Sequence, residues 1–230
     1  MYKIKNILLS FSWIIFSSCL STIASVGGLK DKSPDVKRLN IEGKEVYFIG
    51  MSHLAKEEFY LNTKKIITEY QQNGFMFYVE TVKNDKEDTL ALKKFRKLMN
   101  LDLKIKFSNI DNSILVKLKD KYKLIDQPKY EYMGLTSYKI VDYNYSELLD
   151  FYEKKYGKII LDSCDLKTEI GSKYICTPYE SKDRKVFKNE IIIKKRNELI
   201  VEKIKNSEDK KIVIIFGKKH LKGITELLKH

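Results

Sequence analysis

The chain has 230 residues, 43% hydrophobic and 12% aromatic, which suits one folded domain with a real core, or one domain with an insertion, and excludes a wholly disordered chain. Its 44 Lys+Arg against 31 Asp+Glu leave a net charge of +13. The lysines are spread evenly and no basic motif interleaved with aromatics is present, which argues against nucleic acid as a partner.

Residues 1–18 read as an export signal: Lys3 and Lys5, an apolar run from Ile7 to Phe16, then Ser17 and Ser18. The stretch is too short and too serine-rich for a spanning helix. Phe16-Ser17-Ser18-Cys19 resembles a lipobox, in which Cys19 would become the lipidated first residue; cleavage after Ala24 is the alternative. Both readings export the chain, as an envelope lipoprotein or a periplasmic protein, with a lipid anchor as its only membrane contact. Residues 19–35, with Gly27, Gly28 and Pro34, read as a flexible tether, and 36–230 as the domain. Cys164 and Cys176 remain, and an even pair in an oxidising compartment reads as a disulfide.

Val36 to Ile41 and Glu45 to Ile49 flank Glu42-Gly43-Lys44 as a hairpin. A helix follows from Glu57 to Asn73, Gly74 stops it, and Phe75 to Val79 is the next strand, ending at Glu80. Glu45 to Glu80 therefore has the order of one βαβ unit with parallel strands. Leu90 to Met99 is amphipathic, Asp111 to Lys119 reads as helical and Tyr122 to Ile125 as a strand. Asn144 and Glu147 make a capping box for a helix that runs to Tyr156 and stops at Gly157. Asn189 to Lys205 is another helix, Ile212 to Phe216 a strand buried on both faces, and Leu221 to Leu228 a final helix. Strands alternating with helices at both ends of the chain predict an α/β fold, a single domain with a central, mostly parallel sheet, flanking helices and an N-terminal hairpin.

Two of the three histidines share a context. Gly50-Met51-Ser52-His53 and Gly217-Lys218-Lys219-His220 each follow an apolar strand, where open α/β sheets bind ligands. With Glu80 at a third strand end, His53 and His220 are a candidate set of metal ligands. Glu80 is either the third ligand or the general base that takes a proton from water. The competing reading is that both histidines only cap strand ends. Arg196 lies on the apolar face of its helix and is suited to holding a substrate carboxylate, an oxyanion or Glu80; the alternative is a stem packed on the core with its head in water. Asp126, Gln127 and Asn197 are polar candidates of a second rank.

The order of these motifs resembles the TraB/GumN/TIKI family: Gly50-x-x-His53, Tyr78-Val79-Glu80-Thr81, Arg196-Asn197 and Gly217-x-x-His220-Leu221-x-Gly223. That family sits in a wider group with erythromycin esterases and ChaN-like lipoproteins. The resemblance implies metal-dependent hydrolysis of a peptide or ester bond with Mn, Co or Zn, centred on His53, Glu80 and His220, with Arg196 in support. It covers nothing between about residues 100 and 188. Its alternatives are a ChaN-like lipoprotein that holds haem or another ligand without chemistry, and an inactive member.

Overall fold

The computed structural model describes residues 29–81, 88–101 and 113–229. The export signal, Cys19, Ala24 and the first part of the tether lie outside them. The rest of the predicted tether is packed on the fold. Lys32 O accepts from Asn62 Nδ2 at 2.9 Å, Asp35 O accepts from Gly50 N at 3.0 Å, and Pro34 is buried.

The predicted hairpin forms from β1 (Val36–Ile41) and β2 (Lys44–Met51), with Gly43 at φ 69 in the turn, a left-handed value that glycine takes without strain. A short β3 (Leu54–Lys56) then separates His53 from α1 (Glu57–Gln72), where the sequence led straight into a helix. β3 pairs with β5 (Leu124–Asp126) in a two-stranded sheet of its own. The main sheet continues with β4 (Met76–Val79), β6 (Lys139–Ile140) and β7 (Lys211–Gly217), in the order β1-β2-β7-β4-β6. Only β1 is antiparallel to its neighbour; β2, β7, β4 and β6 run the same way. The late strand β7 thus separates the two strands of the βαβ unit.

The remaining helices are α2 (Thr89–Met99), α3 (Ser113–Tyr122), α4 (Tyr145–Tyr156), α5 (Ser163–Lys167), α6 (Ser181–Val186), α7 (Arg196–Lys205) and α8 (Leu221–Leu227). The Asn144–Glu147 capping box is present, and Gly157 ends α4 at φ 94. The helix read from Asn189 is longer and less regular. α6 runs into a π-helix (Phe187–Lys195), which runs into α7.

Period-two alternation on β7 divides the core. Ile212, Ile214 and Phe216 face Ile200 and Ile204 of α7 and Ile224 of α8. Val213 and Ile215 face Phe59 and Ile67 of α1. All five strand residues are fully buried, as expected of a strand covered on both faces. A third core, with no strand in it, joins α2, α4 and the π-helix around Phe95, Leu148 and Phe187.

Cys164 and Cys176 form a disulfide with Cα atoms 5.8 Å apart. Beside it the fully buried Arg96 of α2 donates to the carbonyls of Glu169 (2.7 Å) and Thr168 (2.9 Å). Lys97 pairs with Asp162 and Asp165 in the same loop. The disulfide therefore closes the cysteine loop on itself, and the buried charges of Arg96 and Lys97 tie it to α2.

Candidate functional site at the carboxyl edge of the sheet

Parallel strands bring their carboxyl ends to one edge, and the site residues follow from that. Glu80 comes directly after β4, and its N–H donates to Ile215 O of β7 at 3.0 Å. Gly217 closes β7, and its N–H donates to Glu80 Oε2. A Cβ at Gly217 would lie 3.2 Å from that oxygen, so the glycine lets the carboxylate approach the strand end. A single 3-10 turn (Lys218–His220) carries the chain to His220, which is 3% exposed.

The first residue of α7, Arg196, is 4% exposed and holds two carboxylates. Its Nη2 donates to Glu80 Oε1 at 2.8 Å and to Asp142 Oδ2 at 2.6 Å, and its Nε donates to Asp142 Oδ1 at 2.7 Å. The guanidinium also lies over the Phe216 ring, 5.9 Å from its centre. Burial alone would lower Arg196, but the bonds to Asp142 and the charge of Glu80 push it above its ordinary value. Burial pushes the Asp142 carboxyl up, against the opposing pull of Arg196. Burial would also raise Glu80, yet the Arg196 charge, with the Gly217 N–H, holds it below the usual carboxylate range.

Asn197, the next residue, serves His220. Its Oδ1 lies 2.7 Å from His220 Nδ1, which assigns the imidazole proton to Nδ1 and leaves a lone pair on Nε2. Burial lowers the His220 pKa to about 4, so the ring is neutral near pH 7. Nε2 lies 3.8 Å from Glu80 Oε1. An ionised carboxylate and a neutral imidazole therefore present lone pairs to each other across a gap too wide for a direct hydrogen bond.

A cavity of about 780 Å³ opens above this edge. Glu80, Thr81, Met51 and His53 line one side, and the segment from Asp126 to Tyr132, with Tyr138, forms the other. That segment is tied down on both sides of the site. Gln127 N donates to His53 O at 2.9 Å, and Gln127 Oε1 lies 3.2 Å from His53 Nδ1. The Tyr130 hydroxyl donates to Glu80 O at 2.8 Å. Its own ionisation is pushed well above the ordinary tyrosine value by burial and then by the Glu80 charge.

Glu80, His220, Arg196 and Asn197 are thus brought together, and His53, Asp126 and Gln127 share the cavity wall with Glu80. His53 is close enough for a charge on it to favour ionised Glu80 and disfavour protonated His220. Arg196 and His220 lie behind Glu80 rather than on the wall. Sequence reasoning missed Tyr130 and Asp142. Asp142 is the harder of the two to find. It follows the two-residue strand β6, which carries no periodicity to read, and nothing local marks it.

The facing lone pairs of His220 and Glu80 offer a cation two ligands, and 3.8 Å is within the span of two bonds of about 2.0–2.2 Å. Among the described residues, however, no group of three or more His, Cys, Asp or Glu side chains is spaced to hold an ion. Arg196 is also already bonded to the same Glu80 oxygen. The described residues offer an ion these two ligands and no third. No protein-family model, curated protein or solved structure matches the chain.

Proposed function

We propose that the chain is a hydrolase of a peptide or ester bond, acting in the cavity beside Glu80. The observation that carries this reading is Glu80 on the cavity wall, a carboxylate held ionised by Arg196 behind it. A water on the cavity side of Glu80 that donates a hydrogen to the carboxylate turns its own lone pairs to the substrate. Its oxygen attacks the substrate carbonyl carbon while its proton passes to Glu80. The tetrahedral intermediate then collapses, the C–N or C–O bond breaks, and Glu80 returns the proton to the leaving atom. Arg196, fixed by Asp142, keeps Glu80 ionised and oriented between turnovers. His53, held by Gln127, orients the substrate at the wall. The TraB/GumN/TIKI resemblance supports the same class of reaction.

Turnover of fluorogenic peptides and a nitrophenyl ester tests the reading. Glu80→Gln should lower the rate by about 10²–10⁴-fold with the fold intact. An unimpaired Glu80→Gln, or a wild type inert toward every amide and ester tried, overturns it. The divalent ion implied by the resemblance is read in the same assay. A strict requirement for Mn, Co or Zn, abolished by a chelator, would put the ion in place of the water.

We also assign the chain to the cell envelope, supported by its leader pattern and by a disulfide suited to an oxidising compartment. No helix among the described residues is long and apolar enough to cross a membrane. A Cys19→Ser variant should leave the membrane fraction while still being exported; unchanged fractionation moves the cleavage site elsewhere.

A further inference from the structure

β1 ends the sheet. It pairs with β2 on one side, and among the described residues no other backbone hydrogen bond reaches Val36–Ile41. The N–H and C=O groups of every second residue therefore face outward, a template for a further strand. A groove of about 390 Å³ runs along that edge, between β1 and α8. Its lining takes four consecutive residues of the strand, Lys37 to Asn40. Strand side chains alternate between faces, so a hollow on one face would be lined by every second residue; this one follows the edge. Opposite, Leu221, Thr225 and Leu228 recur at helical spacing as a half-buried, mostly apolar wall. The charge is one-sided. Lys37, Arg38 and Lys229 line the groove and are exposed, none of them in an ion pair among the described residues, and no carboxylate lines it. A second hollow of about 320 Å³ continues along the same edge to the hairpin turn, adding one acid, Glu42, and one cation, Lys44.

We propose that this groove docks an extended, acidic segment of a partner polypeptide, which adds to the sheet as a strand beside β1. The open row of backbone groups supplies hydrogen bonds that any extended chain can answer, and the three cations select for acidic side chains. By period two, Lys37 and Leu39 share one face of β1 and Arg38 and Asn40 the other. A strand laid beside them offers alternate side chains to the same two faces. Apolar residues then meet Leu221 and Leu228 while acidic ones reach Arg38, with Lys37 and Lys229 at the rim. The six residues of β1 span roughly 20 Å at about 3.4 Å each, so a segment of similar length fills the edge. A second copy of this chain is the poorer occupant. Two β1 strands side by side double the positive charge along one edge, and like charges across a strand pair destabilise it. A lipid headgroup has the right charge but cannot pair with a row of alternating donors and acceptors. The groove shares no lining residue with the cavity beside Glu80, so the docking stands apart from the hydrolase reading.

NMR titration and amide exchange of the full chain test the proposal. The probe is a pool of blocked octapeptides with Asp or Glu at every second position and Val, Ile or Thr between. Two matched pools carry Lys or Ser in place of the acids. A fourth is the acidic pool N-methylated at every residue, which keeps the charge and removes the backbone donors. The acidic pool should bind, shift the amides of Val36–Ile41 and Leu221–Leu227, and slow exchange at alternate residues of β1. The Lys pool should not bind, and the Ser and N-methylated pools should bind about tenfold more weakly or worse. Arg38→Glu, at an exposed position that leaves the core untouched, should weaken acidic binding about tenfold and admit the Lys pool. No binding by the acidic pool, equal binding by the Ser or N-methylated pool, or acidic binding unchanged in Arg38→Glu with native melting behaviour overturns the proposal. Protection of β1 by self-association instead, read by light scattering, or by phosphatidylglycerol vesicles instead, overturns it as well. Docking of the acidic pool by a protein inert toward every amide and ester leaves it standing.

Discussion

At Gly223 a Cβ would lie 2.2 Å from Asn197 Nδ2, so this glycine makes room for the amide that holds the His220 ring. Gly223→Ala should displace Asn197 and destabilise the fold by about 1–3 kcal/mol. The imidazole nitrogen shifts of His220 should lose the signature of a protonated Nδ1, and a variant with both the stability and the spectrum of the parent would sink the account. His220 also sets a pH dependence. Below its ordinary value of 6.5 the unfolded chain takes up a proton that the folded chain refuses until about pH 4. Stability is therefore full above pH 6.5 and falls as the pH drops through that window, by a total on the order of 3 kcal/mol. Glu80, held low, adds a loss of the same sign further into acid. Urea midpoints between pH 7 and 4 should show the slope, and His220→Gln should flatten it; an equal slope in both proteins assigns the effect elsewhere.

The element that arranges the site is the π-helix. Its i→i+5 bonding widens the turns just before Arg196 and Asn197, so the helix buries Phe187 and Ile191 in the third core and still turns both polar residues to the sheet edge. Deleting Lys194, whose side chain is exposed, should restore α spacing and rotate one half by about 100° against the other. Either Phe187 or the Arg196–Asn197 pair then leaves its place, at a cost of about 3–5 kcal/mol in urea unfolding; a deletion variant as stable as the parent contradicts this. Sequence reasoning reached the helix but not the π turns, because one widened turn shifts the apolar period too little to register over nine residues. It reached His220 because an unbroken apolar strand ends in Gly217 three residues before it, and Glu80 because it directly follows the apolar run from Phe75 to Val79. Asp142 stayed hidden, since its role is defined only by the neighbour that β6 acquires on pairing with β4.

Across the whole molecule, two cores sandwich the sheet and a third stands apart, bordered by the cysteine loop gripped by Arg96 and Lys97. Replacing both cysteines by serine should cost about 3 kcal/mol on the chain-entropy account of a loop with sequence separation 12. The loss should appear first in amide exchange across α2 and residues 163–177, with the amides of β7 still exchanging only by global unfolding. Uniform loss of protection throughout the sheet would show instead that the third core is not a separate cooperative unit.

The position of β7 between β2 and β4 has a consequence for how the chain matures. Both neighbours are synthesised early and have outer partners in β1 and β6, yet the edges that face each other stay unpaired until a strand from the far end of the sequence arrives. Such long-range pairing slows folding, so an emerging chain stays open until its last elements follow. Under the proposed export, a chain held open in this way is what a translocation channel accepts. A version truncated after Lys210 should remain unfolded by circular dichroism, and adding residues 211–230 as a separate peptide should restore structure only in proportion to its concentration.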